Sequence, residues 1–233
     1  LKRYKMFIDG DWVESKGKKT FKTLNPENNE PWAEVPEANK NDVNIAVKAA
    51  QKAFVGIWSK LFPRDRAKYL KEIANQLREN SEHLGKIETI DTGKLYRETK
   101  TQANYIAEYY DYFAGLADKV EGTVVPIDKP DMQVTTTRIP IGVVAAIIPW
   151  NSQMLLTAVK LAPALAMGNT VVIKASELAP VTLLEFAKLI DKAGLPKGVI
   201  NIITGLGDPC GKALTTHILV ERIAFTGGPE TAK

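Results

Sequence analysis

Between residues 142 and 225, apolar runs of strand length alternate with segments of helix length, and few chains of this size can satisfy that pattern in more than one way. Residues 142–149, 170–174, 199–204 and 218–225 read as strands. Residues 152–167, with an internal Pro163, 181–193, closed by Gly194, and 208–216 read as helices. The strand runs are almost continuously apolar rather than alternating, which suits strands covered on both faces. Strands joined by helices at this spacing argue a parallel sheet with right-handed crossovers. In such sheets ligands bind outside the carboxyl ends of the strands. Asn151, Lys174, Glu177, Gly205 to Gly207 and Thr226 to Gly228 sit just past those ends.

The first half reads differently. Residues 1–36 predict short strands and turns, with Phe7-Ile8 and Trp12-Val13 flanking the Asp9-Gly10 turn and with Asn25-Pro26 and Glu30-Pro31 as loop punctuation. Asp42 is the expected N-cap of a helix burying Val43, Val47, Ala50 and Phe54. Pro63 opens a second helix with Ala67, Leu70, Ile73 and Leu77 inward. A third runs from near Ser81 to Thr92-Gly93, and a fourth carries Tyr105, Tyr109, Tyr112, Phe113 and Leu116, an aromatic stripe expected in the core. Residues 121–141, rich in β-branched side chains around a Pro130-Asp131 turn, predict an antiparallel ribbon that needs something to pack against, such as another subunit.

Composition sets outer limits. The chain is 45% hydrophobic and 25% charged, with no apolar run long enough to span a bilayer. A net charge of +4 with scattered basic residues gives no reason to expect nucleic acid. The lone Cys210 permits no internal disulfide, which with no visible signal peptide suggests a cytoplasmic protein. His83 and His217 stand apart, without metal-ligand spacing. The run Gly205-Leu206-Gly207-Asp208-Pro209-Cys210-Gly211 has the look of a phosphate-cradling loop but not the usual dinucleotide spacing, so a plain strand-to-helix turn is the simpler reading. The absence of an initiator Met and an unfinished helix after Pro229 suggest a fragment.

Four motifs then occur in order: Pro149-Trp150-Asn151, Val171-Val172-Ile173-Lys174-Ala175-Ser176-Glu177, Gly194-Leu195-Pro196-Lys197-Gly198-Val199-Ile200-Asn201, and Phe225-Thr226-Gly227-Gly228. Together they resemble the N-terminal half of the NAD(P)-dependent aldehyde dehydrogenase superfamily, over essentially the whole chain. The resemblance implies a Rossmann-like parallel sheet with flanking helices, an N-terminal helical segment and an antiparallel β-ribbon arm. Residues 1–120 and 142–233 would form an incomplete cofactor-binding domain, 121–141 an oligomerisation arm, and the catalytic domain would lie outside this chain.

By the same resemblance, Asn151 donates to the oxyanion that forms when a cysteine thiolate attacks an aldehyde, a role in which a preorganised dipole needs no reorganisation. Lys174 and Glu177 hold the adenosine ribose of NAD. A carboxylate that accepts ribose hydroxyls repels a 2′-phosphate, so NADP is the less favoured cofactor. The cofactor-binding set implied is Ile148, Pro149, Trp150, Lys174, Ser176, Glu177, Gly207, Phe225, Thr226, Gly227, Gly228 and Thr231. Tyr105, Tyr109 and Met154 are candidates for lining an aldehyde tunnel, with core packing as the alternative. Ala175 stands where the family often has Pro, and Gly228 where many relatives place Ser, which leaves only backbone N–H for a phosphate there.

The family's cysteine nucleophile and the glutamate base of its Glu-Leu-Gly-Gly motif are not in this sequence, and Cys210 sits in a cofactor turn rather than at the aldehyde. The expected whole enzyme oxidises an aldehyde to a carboxylic acid with NAD through a cysteine thiohemiacetal, as a homodimer or homotetramer, and the fragment alone is inactive. The alternatives are a non-catalytic nucleotide-binding or assembly module, or a CoA-acylating or semialdehyde-phosphate reductase relative.

Overall fold

In the computed structural model, which describes residues 1–232, the first five strands are β1 (Lys2–Arg3), β2 (Met6–Ile8), β3 (Asp11–Val13), β4 (Thr20–Asn25) and β5 (Glu30–Pro36). The helices α1 (Lys40–Gly56), α2 (Pro63–Glu79), α3 (Ser81–Thr92) and α4 (Tyr96–Leu116) follow, then the paired β6 (Val124–Val125) and β7 (Val134–Thr135). The remainder alternates as expected. It runs β8 (Val143–Ile147), α5 (Gln153–Ala166), β9 (Thr170–Lys174), α6 (Val181–Lys192), β10 (Ile200–Ile203), α7 (Lys212–Thr215), β11 (Val220–Phe225) and α8 (Pro229–Ala232).

The main sheet has the order β11-β8-β9-β10-β2-β3. Its first four strands are parallel, and the β2–β3 hairpin extends the far edge antiparallel. The sheet is therefore mixed rather than purely parallel. Positive φ at Asp9 and Gly10, 53° and 75°, gives the tight hairpin turn that the sequence anticipates. The Asn201 side chain on β10 accepts from the Asp9 N–H at 2.9 Å and donates to the Gly198 carbonyl, so the turn is tied to the parallel strands.

Successive residues of β8 face opposite layers. Val144 and Ala146 join a large core with α2, α3, α4, α5 and α6, whereas Val143 and Ala145 join a smaller one with α1 and α7. A strand covered on both faces has no use for an alternating pattern, which accounts for its unbroken apolar sequence.

Several expectations are corrected. Glu30-Pro31 is not loop punctuation but the start of β5, which pairs antiparallel with β4 and parallel with β1 in a separate sheet. The N-cap of α1 is Asn39; Asp42 occupies the third helical position and closes a capping box by accepting from the Asn39 N–H at 2.9 Å. The aromatic stripe of α4 lies at the surface: Tyr105 and Tyr112 are exposed, and Tyr109 and Phe113 only partly buried. Its inward face is instead Thr99, Ala103, Ile106, Ala107, Tyr110 and Ala114, mostly small side chains that let α2 and α3 approach closely. The ribbon pairs as predicted, but over only two residues on each strand, and Val124, Met132 and Ile139 are exposed. Among the described residues, no helix is long and apolar enough to cross a membrane.

Candidate functional site

The strand order places a switch point at β8. From it the chain steps to β9 and β10 on one side and returns to β11 on the other. A crevice forms at such a point because the crossovers leave in opposite directions. Here a cleft of about 440 Å³ opens at the carboxyl ends of β8, β9 and β11. Ile148, Pro149, Lys174, Ser176, Glu177, Gly207, Phe225, Thr226, Gly227 and Thr231, all singled out from the sequence, line it. Lys212 and Thr215 contribute a further wall that the sequence did not indicate, beside Gly211 at the end of the glycine run.

Three predicted residues stand outside that lining. Trp150 is half-exposed and neither borders the cleft nor anchors the core, and Gly228 is exposed beyond the rim. The Asn151 side chain is also exposed, and among the described residues it makes no hydrogen bond. Of the tunnel candidates, Met154 is core, Tyr109 packs partly on the core against Phe113, and Tyr105 borders a surface depression with Arg97, Glu98, Thr101 and Gln102.

Lys174 ends β9 with its side chain almost wholly buried, and its ammonium lies 2.7 Å from Glu177 Oε2. Burial alone would raise the Glu177 carboxyl. The hydrogen bond from Lys174, a backbone N–H and the Lys174 charge outweigh it and hold the group below its ordinary range, so it is ionised at neutral pH. The Ile148 N–H donates to the Lys174 carbonyl and the Thr226 N–H to the Ile147 carbonyl, which keeps the strand ends level around the cleft. Gly227 lies close under the Phe225 ring: a Cβ there would stand 2.5 Å from it, so a larger residue would push the ring aside.

Sequence reasoning missed Lys160. It donates to Thr226 Oγ1 at 2.6 Å and to the Leu156 carbonyl at 3.2 Å, tying α5 to the loop after β11. Burial holds its ammonium below the ordinary lysine value. The available signal was its position as the only charged residue of α5. Ser152 occupies the N-cap of α5 but makes no capping bond; its hydroxyl accepts from Lys94 at 2.9 Å instead. His83 lies beside Glu185 and His217 beside Asn44, and no group of three or more acidic, Cys or His residues among those described could hold a metal.

Cys210 belongs to a turn, Gly207–Gly211, next to the cleft, but its side chain is fully buried in the smaller core. Burial pushes its thiol up to about 12, partly offset by Lys174. A thiolate is the nucleophilic form, and only on the order of one thiol in ten thousand is ionised at pH 8 with such a value.

Taken together, these features define an α/β protein with a doubly wound sheet and a polar crevice at its switch point. The Aldehyde dehydrogenase family profile matches residues 12–233. The chain belongs to the aldehyde dehydrogenase family. It is 53% identical over 234 residues to (Z)-2-((N-methylformamido)methylene)-5-hydroxybutyrolactone dehydrogenase of Acinetobacter baylyi, covering 100% of this chain and 48% of that protein. It is 42% identical to betaine aldehyde dehydrogenase of Bacillus subtilis, covering 98% of this chain and 47% of that one. The solved structure of Staphylococcus aureus betaine aldehyde dehydrogenase in complex with NAD+ superposes with a TM-score of 0.95 at 40% identity, covering 98% of this chain and 46% of that chain. The chain thus spans about half the length of these relatives.

The buried thiol yields a direct expectation. Iodoacetamide at pH 8 followed by peptide mass mapping should leave Cys210 unmodified in the folded protein and alkylate it in guanidinium. Modification at a rate similar to a free thiol in the folded state would contradict this account of the turn.

Proposed function

We propose that the protein carrying this chain is an NAD-dependent aldehyde dehydrogenase, and that this segment supplies its dinucleotide crevice and one oxyanion donor. The observation that carries the reading is the buried Lys174 paired with an ionised Glu177 at the lip of the switch-point cleft. The donor set fits a dinucleotide. Glu177 offers acceptors and Lys174 a donor for vicinal hydroxyls, and the glycines at 207 and 227 allow close approach to backbone. Bound NAD+ would supply the hydride acceptor.

The chain's own residues would do the rest of the binding work. Glu177 accepts the ribose hydroxyls and disfavours a 2′-phosphate, so NAD is taken in preference to NADP. Ile148, Pro149 and Phe225 shape the apolar part of the cleft, and Ser176, Gly207, Thr226, Gly227 and Thr231 border it. Asn151, unpartnered and exposed, donates its amide to an aldehyde oxygen as negative charge develops there. The cysteine nucleophile and the base would belong to the rest of the protein. On this reading residues 1–120 and 142–233 act as one cofactor-binding unit.

The ribbon at 121–141 is proposed as the assembly arm of a homodimer or homotetramer. An isolated pair of two-residue strands is marginal in water, and exposed Val124 and Ile139 gain by being covered by a second copy.

Two experiments on the full-length protein test these readings. Followed as NADH formation over an aldehyde panel, Asn151→Ala should lower kcat roughly a hundredfold or more, the usual cost of one oxyanion donor, with NAD affinity nearly unchanged. Glu177→Ala should weaken NAD and narrow its advantage over NADP. Unaltered turnover in the first variant and unaltered cofactor preference in the second would remove those residues from their roles. For assembly, Val124→Glu combined with Ile139→Glu should reduce the molar mass seen by light scattering, and an unchanged mass would exclude the ribbon as the interface.

A further inference from the structure

The segment between β8 and α5 presents Asn151, yet few hydrogen bonds hold it. No side chain caps α5. Gln153, at the first position of that helix, is fully buried with neither polar atom of its amide partnered, so it contributes packing but no hydrogen bond to the segment. The Asn151 side chain is free. Among the described residues, one hydrogen bond joins a side chain of residues 149–153 to the rest of the molecule, that from Lys94 Nζ to Ser152 Oγ at 2.9 Å.

Lys94 is itself well fixed. It follows Gly93, which ends α3 at φ 77°, and its ammonium also donates to Gln102 Oε1 on α4 at 3.0 Å. Glu88 Oε1 lies 3.9 Å away, on a buried carboxylate oxygen with no hydrogen-bond partner of its own. The two hydrogen-bond acceptors and the neighbouring carboxylate lie on three separate elements: α4, the loop before α5, and α3. The bond to Ser152 spans 58 residues of sequence and ends one residue from Asn151.

We propose that Lys94 is a positioning residue for Asn151, fixing the loop through Ser152 so that the Asn151 amide is held where the substrate oxygen becomes charged. The proposal rests on the oxyanion role given to Asn151 above. An oxyanion donor is effective to the extent that it is oriented before the reaction, and a displacement of about 1 Å can cost a hundredfold in rate. Lys94 touches neither aldehyde nor cofactor in this scheme; it acts through Ser152.

The test uses the full-length protein and its best aldehyde, with Lys94→Met, Ser152→Ala, Ser152→Thr and Asn151→Ala alone and in combination. Lys94→Met and Ser152→Ala should each lower kcat about tenfold or more with the NAD dissociation constant within about twofold of the parent. The two together should cost no more than the larger single loss, because both break one interaction. Ser152→Thr, which keeps the hydroxyl, should recover most of the rate. In an Asn151→Ala background, Lys94→Met should cost nothing further. The same factor lost with and without Asn151, or additive losses for Lys94 and Ser152, would overturn the proposal. Hydrogen exchange of residues 149–156 gives a readout independent of turnover and should quicken in both tether variants; unchanged exchange would also overturn it. Should the parent oxidise no aldehyde, the enzyme reading fails on its own, and the exchange result still decides whether Lys94 holds the loop.

Discussion

The pairing of β8 with a parallel neighbour on each side is the constraint from which the site follows. Its register sets Ile147 against Lys174 on β9 and against Phe225 on β11. Three strand ends therefore finish level, and their chains then turn away in different directions. Nothing else in the molecule has to place Lys174, Thr226 and Ile148 around one cleft; the hydrogen-bond ladder does it. Both faces of β8 are buried, so a one-residue slip would exchange the two cores that Val144 and Val143 occupy.

That dependence explains what could be read from the residues alone. β9 was legible to both boundaries, since an unbroken apolar run bracketed by Gly168-Asn169 and Ala175-Ser176 has few other uses. Pro63 and Gly93 marked helix ends for stereochemical reasons that hold without tertiary context. Much of the cleft's lining was legible because strand C-termini are predictable once strands are, and the family resemblance named the rest. β4 and β5 were hidden by their polar residues and by Pro31 and Pro36, which a strand buried on both faces would not tolerate but a small sheet with one face on the core and one exposed does. On α4 the large aromatics drew attention from the small residues that pack. Lys160 with Thr226, and Lys94 with Ser152, were invisible for a different reason. Each joins elements distant in sequence, and no local pattern records a contact that only the fold creates.

The two halves of the proposed site also differ in how they are held. Lys174 is built into a strand and buried, and its partner Glu177 is kept ionised by it, so the cofactor side is rigid by construction. Asn151 lies exposed on an irregular segment whose following helix has no side-chain cap. A donor placed so depends on its supports, and Lys94 supplies the side-chain bond from outside. Cys210 illustrates the opposite case, a thiol withdrawn by burial one residue from the cleft wall.

The central claim is that the cleft at the ends of β8, β9 and β11 receives a dinucleotide through Lys174 and Glu177. A crystal structure of the full-length protein with NAD+ tests it most directly. The account predicts an adenosine ribose with its hydroxyls about 3 Å from Glu177 and Lys174. A dinucleotide bound elsewhere, or one in this cleft with its ribose out of hydrogen-bonding reach of both side chains, would contradict it.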